Sequence, residues 1–538
     1  MNYADMIMFN GLIHTMSGDE TASAVAVTSG RITAVGSDEK ILQLCGDKTE
    51  KLDLKGACVL PGFNDSHCHL RLTGECATKL DLRGVASKEE LVQRGREYLS
   101  AHPVKPGGWV VGYGFNHNLF PDGKLPDIET AQAISDTVPV LLDRVCGHVG
   151  TVNRSALRAA GYDETTVILG GVLDKDEDGK LNGILREAAL DQIKMFIPKP
   201  DKETVMNQLR AVMARLNSLG ISSAQSDDLE GSDLDTLLAA FRALEENGEM
   251  SVRVFEEIQA ARVPVLERFL VRGLRTGDGS EWFRIGNIKL LTDGSLGART
   301  AWLREDYCDD PGNRGVPVYT QAELDEVVLV AHSSGMQCAF HAIGDGAGEA
   351  CISAIERAQA IAPGSLRDRI VHCQFSDPEL FKRMASAGMA ADIQPAFTAS
   401  DYTLTASRMG AEREKYAYAW RSMLENGVHI AGGSDSPVET PDPLWGIYCA
   451  VTRQDGAGLP EGGWHPEERL SVREAVWLYT TGAAYVSFDE NEKGTIEAGK
   501  LADLTVLSGD IFTVPPRDIP KLRVLRTIVG GKTRYTAD

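Results

Sequence analysis

The stretch ACVLPGFNDSHCH, residues 57–69, opens with apolar residues and ends in two histidines separated by one residue. Because side chains alternate along a strand, His67 and His69 face the same way and Cys68 faces the other. Two imidazoles that project together from a strand end can hold one divalent metal ion. A His-X-His pair also occurs as hydrogen-bonded core histidines, but its position at a strand end favours a metal site.

Strand-like segments alternate with amphipathic, helix-like segments on either side of this stretch. The helix-like run ETVMNQLRAVMARLNSLG, residues 203–220, ends at a glycine that suits a helix C-terminus. This alternation predicts an α/β fold, a distorted (β/α)8 TIM barrel with its catalytic residues at the carboxyl ends of the strands. The eight strand candidates are ACVLPGFNDSHCH, GISSAQSDD, SVRVFEE, FRIGNIKLLTDGS, MQCAFHAIGD, RIVHCQF, MAADIQPAF and HIAGGSDSP.

Both ends of the chain carry short strand-like runs joined by turn residues, and neither end has enough of them for a stable sheet alone. We therefore predict a small β-sandwich domain formed by both termini, residues 1–58 and 490–538. The barrel is assigned to residues 59–489. Residues 72–200 make an interval too long for one loop of a barrel, so we predict an inserted subdomain over the barrel mouth.

Composition narrows the functional class. The chain has 538 residues with 77 Asp and Glu against 55 Lys and Arg, a formal net charge of −22. This acidic balance argues against nucleic acid or an anionic membrane as partner and leaves a small-molecule substrate. There is no basic segment leading into an apolar run at the start and no long apolar run elsewhere. Ten scattered cysteines indicate reduced thiols and a cytoplasmic location. Whether the chain forms a homodimer is left open.

Four further residues lie at or near the ends of other strand candidates: Lys289, His341, His372 and Asp435. Taken singly, such residues can also have a purely structural role. A core histidine can bond to a carbonyl, and an aspartate in a turn can cap a helix. Together with the first histidine pair, they put five ligand-type residues and one lysine on five strand ends. The lysine is unusual because an ammonium inside an apolar strand is costly unless it is paired or neutralised.

These motifs resemble the metal-dependent amidohydrolase superfamily, and most closely its YtcJ-like branch, also called the amidohydrolase-3 family, which includes N-substituted formamide deformylases. The resemblance implies a barrel-plus-sandwich fold and metal-activated hydrolysis of carbon–nitrogen bonds in amides or related groups. The matching stretches are LPGFNDSHCHL, GHVGTVNRSAL, KLLTDGSLGARTA, HAIGDGA, GGSDSPVETPDPLWGI and IEAGKLADLTVL.

The resemblance also implies a ligand set. His67 and His69 would bind the more buried metal together with Asp435, and His341 and His372 would bind a second metal. Two Zn²⁺ ions suit these ligands, although Fe²⁺ or Mn²⁺ could occupy the same site. In the implied mechanism the metals lower the pKa of a bound water and polarise the substrate carbonyl. Asp435 takes the proton from that water and passes it to the leaving nitrogen.

The same resemblance gives Lys289 a role as a carboxylated lysine. Carbon dioxide would carbamylate its amine, and the carbamate would bridge the two metals. A one-metal site formed by His67, His69, His341 and Asp435 stays open, and it would leave the lysine without this role.

Three residues are candidates for substrate binding. His148 lies in a family motif near the pocket, Phe115 in GYGFN would form a pocket wall, and Arg299 follows the strand lysine in TDGSLGART. A local loop bond for His148 and a structural pair between Arg299 and Asp293 stay open as alternatives.

Two other functions are open besides a hydrolase of carbon–nitrogen bonds. A one-metal deaminase of a heterocyclic amine would use similar ligands but also needs a proton donor, typically a glutamate near the strand ends, and none is clear. An inactive scaffold relative would have lost metal ligands, whereas this chain retains all of them. An ion pair with Asp293 is the alternative to carbamylation for Lys289.

Overall fold

A computed structural model describes residues 3–144, 148–168, 170–229 and 233–537. The chain divides into two compact units. Unit 1 comprises residues 1–71, 212–230 and 237–538, and unit 2 comprises residues 72–211 and 231–236. Unit 2 therefore begins at the residue predicted for the inserted subdomain and runs past residue 200.

Eight parallel strands in sequential order form a nearly closed barrel in unit 1. Each pairs with the next in parallel register, as Leu291 of the fourth strand does with His341 of the fifth. The α/β barrel predicted from the alternation of segments is confirmed. Its strands are β1 (Phe63–Cys68), β2 (Ile221–Ser226), β3 (Arg253–Gln259), β4 (Phe283–Leu291), β5 (Cys338–Ala342), β6 (Arg369–His372), β7 (Ala390–Ile393) and β8 (His429–Gly432).

The seam between β8 and β1 is joined at its carboxyl end. Backbone N–H groups of Ser434 and Asp435 both donate to the carbonyl oxygen of His67, at 3.2 and 2.8 Å. Gly433 fits into this corner because a Cβ there would lie 2.6 Å from the backbone nitrogen of His67. The seam thus holds the end of β8 against the end of β1, where the first histidine pair lies.

Several helices that follow barrel strands begin at a residue whose side chain caps them. Thr320, Asp377 and Asp442 each accept a backbone N–H at a helix start, and proline follows the two aspartates. The α-helices are Asp38–Ile41, Leu70–Thr78, Lys88–Ala101, Ile128–Ile134, Arg154–Ala160, Ala188–Lys194, Lys202–Ser218, Leu234–Glu246, Val263–Leu270, Gln321–Ser333, Asp345–Ile361, Pro378–Ser386, Phe397–Met409, Ala411–Glu414, Trp420–Glu425, Pro443–Thr452, Val472–Trp477 and Ala483–Val486.

The chain termini contribute two further sheets to unit 1. One has four strands in the order Arg31–Gly36, Ala24–Thr28, Met6–Phe9 and Glu50–Asp53. The other has six, in the order Lys532–Thr536, Val524–Val529, Leu504–Leu507, Cys58–Pro61, Leu12–His14 and Thr21–Ala22. Buried residues of both sheets, including Met8, Val25, Val59 and Leu504, belong to one hydrophobic cluster.

The stretch 57–69 forms two strands rather than the one predicted. Cys58–Pro61 pairs with Leu504–Leu507 in the terminal sheet, whereas Phe63–Cys68 is β1 of the barrel. Gly62 lies between them, and a Cβ at this position would come within 2.7 Å of the Cβ of Ser222. The strand Cys58–Pro61 of the terminal sheet therefore extends past the predicted boundary at residue 58, because the apolar run continues through the strand change.

Gly62→Ala is expected to lower the free energy of unfolding by about 1–3 kcal/mol, the usual cost of overpacking. The added methyl would push against Ser222 and the backbone of Asp503, to whose carbonyl the Gly62 N–H donates at 2.8 Å. Gly18→Ala is the matched control, since a Cβ there meets nothing within 4 Å. Urea unfolding of both variants measures the difference, and equal midpoints would contradict this explanation of the strand change.

Unit 2 is built on a mixed six-stranded sheet with two hydrophobic clusters. Its strand order is Gly171–Lys175, Leu181–Glu187, Val149–Val152, Val140–Arg144, Val110–Phe115 and Leu80–Asp81. Across the described ranges of both units, no helix combines the length and apolar character needed to cross a membrane.

Candidate metal centre

The seam between β1 and β8 brings the first histidine pair to Asp435. Oδ1 of Asp435 lies 3.1 Å from Nε2 of His69 and 3.4 Å from Nε2 of His67. The side chains of His67, Asp435 and His69 are 1%, 11% and 17% exposed, respectively. Asp435 has a φ of 56°, an uncommon conformation for a residue with a side chain that surrounding structure must hold in place. The three predicted ligands thus meet at one point.

The second predicted pair, His341 and His372, meets at the ends of β5 and β6. Nε2 of His341 lies 3.1 Å from the carbonyl oxygen of Gly294, and Nδ1 of His372 lies 2.7 Å from Oε1 of Gln394. The amide nitrogen of Gln394 donates to the carbonyl of Asp392, so its oxygen faces the histidine. Both oxygens can only accept, which places the ring protons on these nitrogens. The remaining nitrogens, Nδ1 of His341 and Nε2 of His372, lie 3.0 Å apart without a proton between them.

The two histidines at the end of β1, His67 within the strand and His69 directly after it, have the same arrangement. Nδ1 of His69 donates to the carbonyl oxygen of Asp227 at 2.7 Å, and Nδ1 of His67 lies 3.4 Å from Oε2 of Glu257. An acceptor on one ring nitrogen fixes the tautomer and leaves the other nitrogen as a ligand, as in metal sites generally. All four imidazoles therefore turn their second ring nitrogen toward Asp435 or toward one another.

The two pairs form one buried cluster. Ligand atoms of His67, His372 and Asp435 all lie within 4.8 Å of one another. Burial and the charge of Lys289 lower the pKa of His67, but Glu257 and Asp435 more than offset them and raise it to about 9. Burial would raise the pKa of Asp435, yet hydrogen bonds from the histidines of β1 hold it well below its usual range. Anionic groups that favour a proton here would equally favour a metal cation.

Burial lowers the pKa values of His341 and His372, the former to about 4 and the latter well below its usual range. Both rings are therefore neutral, which is the form that binds a metal. Four imidazoles and a carboxylate form the donor set that Zn²⁺, Fe²⁺ and Mn²⁺ sites use. The residues present fit a divalent cation.

The strand lysine also points into this cluster. Nζ of Lys289 lies 3.0 Å from Nε2 of His67 and 3.3 Å from Oε2 of Glu257, and its side chain is 1% exposed. The ion pair considered from the sequence had Asp293 as the partner. Asp293 instead accepts three backbone N–H bonds from two loops, and Glu257 is the carboxylate beside the lysine.

Glu257 was not identified from the sequence, and it connects the cluster to a buried ionic network. Its Oε1 lies 3.3 Å from Arg369, which also lies 2.9 Å from Asp392 and 2.7 Å from Oε1 of Gln225. Burial would raise the pKa of Glu257, but Lys289 and its other cationic neighbours hold it well below its usual range. Charged residues inside the strand candidates SVRVFEE and RIVHCQF were the feature of the sequence that could have indicated this network. The barrel interior is therefore partly ionic rather than apolar throughout.

The two substrate-binding candidates of unit 2 lie in different settings. His148 is exposed, and its Nδ1 lies 3.0 Å from Oε2 of Glu187, which is the local bond considered as its alternative. Phe115 is fully buried in a hydrophobic cluster of unit 2, where its ring stacks on Phe120. The prediction of Phe115 as a pocket wall is therefore corrected, because a ring packed in a core has no surface for a substrate.

Arg299 in unit 1 is committed to another partner. Its guanidinium donates to both oxygens of Asp309, at 3.0 and 2.9 Å, and not to Asp293 as the structural alternative had proposed. Substrate binding by Arg299 would have to compete with this two-point pair.

Comparison with known proteins identifies a family from the sequence and a metal-dependent hydrolase among the similar solved structures. Residues 50–535 match the family described as Amidohydrolase family. YtcJ of Bacillus subtilis (strain 168), described as an amidohydrolase, is 36% identical over 98% of this chain and 99% of its own. N-substituted formamide deformylase of Arthrobacter pascens is 26% identical over 99% of this chain and 98% of its own. The crystal structure of an uncharacterized metal-dependent hydrolase from Pyrococcus furiosus has a TM-score of 0.80 and 30% identity, covering 94% of this chain and 100% of that one.

Proposed function

The chain belongs to the amidohydrolase family, enzymes that hydrolyse carbon–nitrogen bonds, and we propose that it acts on a small amide-like substrate with metal as cofactor. One observation carries the proposal: four histidines each use one ring nitrogen on an acceptor and turn the other inward around Asp435. Such second-sphere acceptors orient the ligating histidines of metal enzymes.

His67, His69 and Asp435 would hold one cation, and His341 and His372 a second. When bound, the cations would supply Lewis acidity, which polarises a substrate carbonyl and lowers the pKa of water. Zn²⁺ suits the donor set best, and Fe²⁺ or Mn²⁺ could serve.

Lys289 would carry a carbamate that joins the two parts of the site. Its amine adds to the carbon of CO₂ and loses one proton, which leaves an N–H and an anionic carboxylate on the same nitrogen. The N–H could donate to Glu257, whose Oε2 lies 3.3 Å from Nζ, while the new oxygens would face the histidines. Carbamylation would replace a buried cation with an anion that metal charge can neutralise.

Asp435 would move the proton. Its pKa lies well below the usual range, so the carboxylate is ionised and can accept a proton from the attacking water. It would then give this proton to the leaving nitrogen, because amide hydrolysis requires the amine to leave in protonated form. Glu257 would not act as the proton donor that a deaminase needs, since its cationic neighbours keep it ionised.

The terminal sheets would complete the fold. We propose that they face each other as the small β-sandwich predicted from the sequence, with Met8 and Val25 of one sheet and Val59 and Leu504 of the other in the cluster between them.

The test is a substrate panel with the metal-replete enzyme: N-formyl, N-acyl, cyclic amide and carbamate compounds, together with heterocyclic amines. The deformylase relative acts, by its name, on N-substituted formamides, so we expect hydrolysis of N-formyl or N-acyl amines. Activity should disappear with a chelator and return with added metal. Ammonia release from the heterocyclic amines, with no amide cleaved, would overturn the proposal in favour of a deaminase.

A further inference from the structure

A second group of metal-ligating side chains lies in the terminal part of unit 1. His14 ends the strand Leu12–His14, Cys58 begins the neighbouring strand Cys58–Pro61, and Asp510 follows the strand Leu504–Leu507. Nε2 of His14 and Oδ1 of Asp510 are 3.0 Å apart, and the ligand atoms of all three residues lie within 4.8 Å of one another. None of these residues belongs to the barrel strands that carry the candidate metal centre.

The chemistry of the three side chains matches a borderline-soft divalent cation. Imidazole, thiolate and carboxylate are the three ligand types that proteins offer to Zn²⁺. A thiolate and a carboxylate together carry two negative charges, which one divalent cation neutralises.

The surroundings of Cys58 act on a negative charge at its sulfur in opposite directions. Burial and, to a smaller extent, the charge of Asp510 raise the pKa of the Cys58 thiol to about 12, while the backbone N–H of Ile511 donates to its sulfur. An N–H that donates to a buried sulfur stabilises negative charge there. A bound cation would neutralise Asp510, so that its charge no longer disfavours the thiolate. The Phe512 ring lies 4.4 Å from that of His14 and limits the orientation of the imidazole.

We propose that His14, Cys58 and Asp510 form a second metal site, distinct from the barrel centre, that binds a divalent cation of the zinc type. Water would supply the fourth ligand, because the side chains of His14 and Asp510 are 14% and 16% exposed. The ligands come from both ends of the chain, so a bound cation would tie the N-terminal and C-terminal segments together. The site has a structural role that does not depend on the proposed hydrolase activity.

Cobalt substitution tests this site separately from the barrel centre. The full-length protein is stripped of metal and titrated with Co²⁺, and near-ultraviolet absorption is followed for the sulfur-to-cobalt charge transfer that only a thiolate ligand produces. The predicted ligands of the barrel centre contain no sulfur, so we expect the band to report on Cys58. It should be present in the wild-type protein and absent from Cys58→Ser.

Two further variants complete the test. Cys373→Ser is the matched control, because Cys373 is also buried but directly follows His372 of the barrel centre, and it should keep the band. Asp510→Asn keeps the size of the side chain and should weaken cobalt binding at this site by more than about 100-fold. Losing a residue that only hydrogen-bonds to a ligand typically weakens metal binding by about 10–100-fold, so a larger loss indicates a direct ligand. Circular dichroism confirms folding. A wild-type protein without the band, or a band that survives in Cys58→Ser, would overturn the proposal.

Discussion

Asp435→Asn is expected to lower kcat by about 10²–10⁴-fold, the usual contribution of a general acid–base group. The amide has nearly the same size and still offers an oxygen at the position 3.1 Å from Nε2 of His69. It cannot accept a proton near neutral pH, so proton transfer from water to the leaving nitrogen is lost. Bound metal, measured on the purified variant by elemental analysis, should therefore remain close to the wild-type content while turnover disappears.

Asp503→Asn is the matched control for this variant. Asp503 is a buried carboxylate that accepts two hydrogen bonds from Arg253, at 2.7 and 3.0 Å, in the terminal part of unit 1. Its loss should cost stability and leave kcat per folded molecule unchanged. If Asp435→Asn kept more than a tenth of the wild-type kcat with full metal content, another group would have to move the proton.

The barrel and the convergence of the candidate ligands could be predicted because both depend on local pattern. Alternation of strand-like and helix-like segments defines a parallel barrel, and a parallel barrel brings the carboxyl ends of all its strands to one face. Histidines at the ends of β1, β5 and β6 therefore converge whatever the details of packing. Only the rule of alternating side chains was needed to place His67 and His69 on one side of β1.

Features that depend on contacts between distant segments could not be predicted in this way. The pairing of Lys289 with Glu257 depends on how the side chains of β3 and β4 meet inside the barrel, which no local pattern encodes. The change of sheet at Gly62 leaves the apolar run unbroken, so one strand was predicted where two exist. Phe115 lies in an aromatic motif that suits a pocket wall or a core equally well, and only the packing of unit 2 distinguishes them.

Lys289→Ala is expected to remove about one equivalent of bound metal and most of the activity, since a bridge between two cations in a two-metal site would be lost. Nζ of Lys289 lies beside Glu257 and His67. Truncation leaves space where the carbamate oxygens would lie. Formate, acetate or propionate could occupy this space as a bridging anion and should restore part of both metal content and activity.

Rescue by carboxylic acids separates a bridging carbamate from a simple ion pair. If Lys289 served only to neutralise Glu257, its removal would leave a carboxylate with less positive charge around it, and an added anion would worsen the imbalance instead of correcting it. Lys493→Ala is the matched control, because Lys493 is a mostly buried lysine that pairs with Asp489 at 3.1 Å away from the histidine cluster. It should keep metal and activity, and it should not respond to the acids. Loss of activity in Lys289→Ala without rescue, at unchanged metal content, would assign the lysine to the ionic network alone.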